Sequence, residues 1–499
     1  MIKSLNQNSH FIKACEYADL GRFRESLDIL QGLEDLFPDD ATLCFLLGIC
    51  DYKMLNLIRS KERLNKCLQI NPNLTQANHL LGNVLRDLEE FELAMLAYKR
   101  EININPQYPD VLNDLGILFF MKNQLNEASD VYDHAISLDA KYADPYQNKA
   151  MIYIRQKKFK EAEELLDVAI KLKANNYEAI AALANLKKHI CEFDSAWQLY
   201  QHRFELELKD EKRFFKKPAW TEKLIGDKKI YLYCEQGIGD QILYGTMFRE
   251  AFETKNNFII SMDERLLPIF NRSFSHYKNI KFISKEENIS ESFFDLHLAM
   301  GDLGKFFRWS LKDFENFSYP YFLADKERTG LIQKKIRNEN KIICGISWRS
   351  ASQKIGSDKS IDLIDFKEIL SLEDLMFVDL QYGDTLAERN QLKNEYSLTI
   401  NKLNEIDNFN DIDGLASLID TCDFVITSSN VTAHIAGALN KKTYLVVPYS
   451  AGRCWYWHDG LTKSLWYPSV EIFSQTEAGD WSVPINEIKE KIAKEIAHE

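Results

Sequence analysis

Small and large apolar positions recur through the first two hundred residues at one fixed spacing. Gly48, Gly82 and Gly116, then Ala150 and Ala184, stand 34 residues apart. Ala94, Ala128, Ala162 and Ala196 keep the same period, as do the large residues Tyr98, Tyr132, Leu166 and Tyr200, and Pro38, Pro72 and Pro106. Such a period predicts two antiparallel helices per unit. The small residues fall where the helices of one unit approach closely, the large ones fill the gap between units, and proline ends the second helix. Beyond about residue 228 the pattern changes to short apolar runs: KIYLYC (229–234), 258–262, 281–283 and 296–299. After a proline-marked break around 319–323 come KIICGISW, LMFVDLQ, DFVITSS and TYLVVP, with the helical patterns DLIDFKEIL, GLASLIDTC and VTAHIAGAL between them. Strands alternating with helices predict two doubly wound α/β layers in series, with a cleft between the carboxyl ends of their strands.

The 34-residue repeat resembles the tetratricopeptide repeat, with about six units from residue 7 to about 206. Such repeats stack into a superhelix whose concave face commonly binds an extended protein segment; a plain spacer is the alternative. The architecture also resembles the repeat-bearing O-linked N-acetylglucosamine transferases, in which an asparagine ladder on that face holds a peptide backbone. Here the ladder is patchy: Asn83 and Asn185 follow the small position, Asp114 and Asn148 precede it, and Leu46, Leu80 and Ala182 stand elsewhere. Residues 207–226, with the run KRFFKKPAW, lie outside the period and are expected to form a docking linker in which Lys216 and Lys217 are a solvated joint.

Composition narrows the function. The chain has 499 residues, 45% hydrophobic and 27% charged, so several packed cores are expected. A net charge of −13 disfavours a general nucleic-acid or anionic-membrane binder. Nine scattered cysteines without a CxxC pair read as reduced thiols. No apolar run approaches the roughly 18 residues of a membrane span, and a cytoplasmic location is expected.

The first strand of the second half runs into Glu235-Gln-Gly237-Ile-Gly239-Asp240 and then a helical pattern. Strand, glycine turn and helix suit an anion or a polar sugar at the helix terminus. As a dinucleotide fingerprint the turn fails, because Ile242 occupies the third glycine position, which weakens an NAD-linked reading. Five ordered segments carry a family resemblance: EQGIGDQI (235–242), GISWRS (345–350), LQYGD (380–384), ITSSNVTAHIAGAL (426–439) and LWYPSVEIFSQ (465–475). Together they resemble the bacterial tetratricopeptide-repeat glycosyltransferases, whose C-terminal half is similar to the heptosyltransferase family, glycosyltransferase family 9. The resemblance covers roughly residues 228–485. It implies a GT-B fold: an N-terminal Rossmann-like acceptor domain (227–330) and a C-terminal Rossmann-like nucleotide-sugar domain with a closing helix (331–499).

The resemblance matches Asp240 to the family's general base; helix capping is the alternative for an aspartate in such a turn. The donor's diphosphate is expected at the helix beginning near Asn430, after Ser428 and Ser429, with His434 one turn in. The family often has an aspartate where Ser429 stands. His434 matches a phosphate or ribose contact, while a lone helical histidine is more often a satisfied core residue. Ser347 and Arg349 follow a buried strand, and Lys359, ranked above Lys354, offers a cation for the diphosphate. Gln381 and Tyr382 are candidates for nucleobase and ribose. Arg453, Trp455, Tyr456, Trp457, Trp466 and Tyr467 form an aromatic-rich region of which one or two members are expected to line the cleft. Asp411-Ile-Asp413 resembles a metal-binding DxD but reads as a helix cap, so no essential metal and no cofactor beyond the donor is expected. The sequence therefore predicts an inverting, metal-independent glycosyltransferase. It moves a sugar from a nucleotide-diphosphate donor to a protein or glycan acceptor recruited by the repeats. The competing reading is a non-catalytic repeat scaffold with a degenerate transferase domain.

Overall fold

The computed structural model describes residues 5–206, 215–222, 226–315, 319–336, 341–352 and 355–497. Lys354 and most of the linker expected at 207–226 lie outside them. The chain divides into two compact units, Met1–Ala179 and Ile180–Glu499.

The first unit is helical pairs: Ser9–Asp19 with Phe23–Gln31, Ala41–Lys53 with Leu57–Ile70, Ala77–Asp87 with Phe91–Ile104, Pro109–Met121 with Leu125–Leu138, and Ala143–Arg155 with Phe159–Leu172. A sixth pair, Tyr177–His189 and Phe193–Tyr200, keeps the period but falls almost wholly in the second unit. The turn inside each pair contains one left-handed residue, at Gly21, Leu55, Glu89, Asn123, Lys157 and Cys191. These six positions repeat every 34 residues and give the period a backbone basis that side-chain patterns do not reveal. The large residues differ from expectation. In the third and fourth pairs they fill space between the two helices, because a Cβ on Gly82 would lie 2.4 Å from Tyr98 Cε1, and one on Gly116 would lie 2.3 Å from Tyr132 Cε1. Only glycine admits a ring at such an approach, which explains why a bulky aromatic answers each of these glycines sixteen residues on.

The second unit carries two parallel sheets. The first contains β1 (Lys229–Tyr233), β2 (Asn257–Met262), β3 (Ile280–Ser284) and β4 (Leu296–Ala299) in the order β3-β2-β1-β4. The second contains β5 (Ile342–Ser347), β6 (Leu375–Asp379), β7 (Phe424–Ser428), β8 (Thr443–Val447) and β9 (Val470–Ser474) in the order β6-β5-β7-β8-β9. All pairings are parallel. Parallel strands need both faces covered, and the buried runs FVITS of β7 and TYLVV of β8 meet that demand. The end of the linker segment docks on the first sheet: Ala219 bridges His297 in β4, and Trp220 is fully buried. The backbone amides of Lys216 and Lys217 donate to the Glu291 carboxylate. No helix among the described residues is long and apolar enough to cross a membrane.

Candidate functional site

In a doubly wound sheet a crevice opens where the strand order reverses, outside the carboxyl ends of the strands. The first sheet reverses between β1 and β4, and the second between β5 and β7. The residues singled out from the sequence gather at these two places.

β1 leads into a turn and the helix Ile238–Gly245, whose N-cap is Gly237 in extended conformation. Asp240 is therefore the third helical residue, and the capping position has no side chain. A Cβ at Gly237 would lie 3.6 Å from Asp240 Oδ2, so the carboxylate turns back over the start of the helix. The N-terminal partial charge of the helix favours an anion there. Beside it Glu235 is buried between β1 and β4. Its Oε1 accepts from Arg203 Nη2 at 2.8 Å and from the Gly301 amide at 3.3 Å, while Arg203 Nη1 donates to Asp302 at 2.7 Å. Burial pushes the Glu235 carboxyl up to about 7, opposed by Arg203 and reinforced by Asp302. Its Oε2 is buried without a hydrogen-bond partner among the described residues.

At the second reversal Ser347 ends β5 and Ser428 ends β7, both fully buried. Asn430 caps the helix Val431–Ala438: its Oδ1 accepts from the Thr432 amide at 2.9 Å, and its Nδ2 donates to Ser347 Oγ at 2.8 Å and the Arg349 carbonyl at 3.0 Å. Gln381, after β6, accepts from the amides of Trp348 and Arg349 at 2.8 and 2.7 Å, and the Tyr382 hydroxyl donates to the Arg349 carbonyl at 3.1 Å. These side chains brace one loop, 348–350. Arg349 itself pairs with Glu388 at 3.2 Å and donates to the Asp384 carbonyl. Ser429 Oγ accepts from Trp457 Nε1 at 2.9 Å. Lys359 lies close by, its ammonium 3.8 Å from Cys454 Sγ.

The two crevices meet at His434. A Cβ on Gly239 would come within 3.0 Å of His434 Cδ2, so glycine lets the two helix starts abut. His434 Nδ1 bonds the Tyr467 hydroxyl at 3.0 Å, and the ring is packed among Tyr456, Trp457 and Tyr467. Burial, then the charge of Lys359, pushes the His434 pKa down to about 3, so the ring is neutral at physiological pH. It is a buried histidine at the junction of the two helix starts. Trp457, Trp466 and Tyr467 are likewise fully buried, whereas Trp455 keeps partial exposure.

Asp411 caps the helix Ile412–Thr421 through the Gly414 amide at 2.9 Å and pairs with Arg328; Asp413 pairs with Arg272. Among the described residues no group of three or more His, Cys, Asp or Glu is arranged to hold a metal ion. Sequence reasoning missed Tyr200, Arg203 and Lys188, which come to the Glu235 turn from the last repeat pair and the short helix after it. Their place in an uninterrupted repeat period concealed them.

The family models match the first part of the chain. Two family models, both described as tetratricopeptide repeat, match residues 75–108 and 119–187. The N-terminal half carries tetratricopeptide repeats. The repeats are similar in solved structures to MamA 41-end from Desulfovibrio magneticus RS-1 (18% identity, 35% of this chain and 99% of that chain, TM-score 0.32). They are similar also to YrrB, described as a TPR protein with an unusual peptide-binding site (21%, 34% and 87%, TM-score 0.29), and to pilF of Pseudomonas aeruginosa (14%, 41% and 94%, TM-score 0.36). Among curated proteins the chain is 26% identical over 311 residues to Protein FlbA of Caulobacter vibrioides, covering 57% of this chain. The chain spans about half the length of that relative, 50%.

Proposed function

We propose that the second unit is an inverting glycosyltransferase of GT-B type. It takes a nucleotide-diphosphate sugar as donor, needs no metal ion or cofactor, and acts in the cytoplasm on a protein or glycan acceptor recruited by the repeats. The reading is carried by one observation: the reversal points of two parallel sheets converge at Gly239 and His434, with the Asp240 carboxylate on one side and Lys359 with the Val431–Ala438 helix start on the other. Nine free cysteines suit a reducing compartment.

Asp240 takes the proton from the acceptor hydroxyl as its oxygen attacks the anomeric carbon from the face opposite the diphosphate. The bond from that carbon to the diphosphate oxygen breaks, and the leaving charge is met by Lys359 and the helix start. Tyr382 and the braced loop 348–350 offer the ribose and base a rigid floor. The repeats, with Asn83, Asp114 and Asn148 along their inner helices, present the acceptor. A non-catalytic repeat scaffold is the second reading, favoured by one fact: Ser347 and Gln381 are fully buried and already spend their hydrogen bonds within the protein.

Calorimetry of the full chain against uridine, guanosine, adenosine and thymidine diphosphate sugars, with mass spectrometry of products, tests the choice. Micromolar binding of one donor, with Asp240→Asn retaining that affinity while turnover falls about 10²–10⁴-fold, is the expected result. An absence of binding across the panel favours the scaffold. Normal turnover in Asp240→Asn removes the base assignment and makes Glu235 the next carboxylate to test.

A further inference from the structure

Lys188, near the end of helix Tyr177–His189, is fully buried, and its ammonium has no hydrogen-bond partner among the described residues. Three rings enclose it: the nitrogen lies 3.7 Å from the Tyr200 ring centroid, 4.3 Å from that of Trp455 and 5.7 Å from that of Trp197. A lysine is almost never buried without a paired anion, and packing alone is served as well by methionine or leucine. Attraction between a cation and desolvated aromatic faces offsets part of the cost, but does not explain why a charge stands there.

Tyr200 supplies the link to the site. Its hydroxyl shares a hydrogen bond with the Tyr244 hydroxyl at 3.2 Å and accepts from the Gln236 side-chain amide, and Tyr244 donates to Gln236 Oε1 at 3.2 Å. The Arg203 guanidinium, 4.2 Å from the same ring, holds Glu235. The Glu235–Asp240 turn is thus fastened at Glu235 and Gln236 by groups that converge on Tyr200, with Lys188 against its ring. Burial and Arg203 push the Lys188 pKa well below that of an ordinary lysine, while Asp240, Glu235 and Asp302 oppose them.

We propose that Lys188 is a positioning residue for the Glu235–Asp240 turn, acting through Tyr200, so that the last repeat helix sets the placement of Asp240. The effect on turnover rests on the glycosyltransferase reading; the placement of the turn does not. The test compares the full chain with Lys188→Met, which keeps the stem and removes the amino group, and Tyr200→Phe, which keeps the ring and removes the hydroxyl. Amide hydrogen exchange is followed by mass spectrometry, with the helices 109–138 as internal control. In both variants exchange across 235–241 is expected to rise about tenfold while the control stays at its wild-type rate. Where a donor has been found, turnover falls about tenfold with little change in donor affinity. Unchanged exchange at 235–241 in Tyr200→Phe, or a rise in Lys188→Met spread evenly over the second unit, overturns the proposal. If Lys188→Met does not fold, Tyr200→Phe decides. Turn loosening in a chain that binds no nucleotide sugar refutes the function while leaving the positioning intact.

Discussion

Replacing Gly116 by alanine tests how the repeats hold together. The new methyl would sit 2.3 Å from Tyr132 Cε1 and 2.7 Å from both Cδ1 and Cζ, against an ordinary carbon–carbon approach of about 3.5–4.0 Å. Tyr132 is only 1% exposed, so its ring has no route to solvent and must retreat about an ångström into packed neighbours. Overpacking of this kind costs about 1–3 kcal/mol. Alanine returns up to about 1 kcal/mol through helix propensity, leaving a net loss of about 0–2 kcal/mol. The fifth unit shows the remedy: the equivalent positions there are Ala150 and Leu166, both fully buried. Tyr132→Leu should therefore make room for the methyl, and the double variant Gly116→Ala/Tyr132→Leu should be more stable than the two single losses sum to, by about 1–2 kcal/mol. Native-state hydrogen exchange of helices Pro109–Met121 and Leu125–Leu138 in the full chain reads this locally and avoids treating two units as one transition. Additive losses in the double variant would show that the glycine is not there for the ring.

Leu55 is 82% exposed and left-handed, at the turn position where the first pair has Gly21; Leu55→Gly should stabilise its pair by about 1 kcal/mol, seen as slower exchange in 41–70. Glu235, raised by burial to about 7 from an ordinary value of 4.5, binds its proton more tightly folded than unfolded, so its contribution to stability is present below 4.5 and lost as pH rises through 7. Glu235→Gln should therefore shrink the fall in melting temperature between pH 5 and pH 8, and an unchanged slope would place the titration elsewhere. His434 and His458 act in the opposite sense, each lowered to about 3 chiefly by burial, and the wild-type-minus-variant difference isolates Glu235 from them.

Much of the backbone was legible because its signals are local. The small-to-large lattice of the repeat, and the runs KIYLYC, DFVITSS and TYLVVP, locate helix pairs and strands through spacing and β-branched content. β9 escapes the alternating helix–strand pattern, since VEIFS follows a long aromatic loop without a helix before it. Ser347, Gln381 and Asn430 do come together at the β5/β7 reversal, yet they bond mainly to one another's loops, and a motif string does not distinguish a brace from a ligand contact. His434 illustrates the same limit: its burial depends on Tyr456, Trp457 and Tyr467, which reach it from more than twenty residues away.

The period and the packing also divide the chain differently, and the reason is physical. A 34-residue repeat specifies how a helix pair is built and says nothing about what its outer face meets. In the last pair that face carries Phe193, Trp197 and Tyr200. A Cβ on Gly304 would lie 2.3 Å from Trp197 Cζ2, the Trp197 indole donates to the Arg308 carbonyl at 2.6 Å, and Phe193 meets His458 edge to face. These rings are buried against the helix Gly304–Phe307 and the loop after β8. The pair is thus a repeat by sequence and a wall of the α/β unit by energetics, which is how Lys188 and Arg203 come to stand within the electrostatic reach of Asp240 and Glu235.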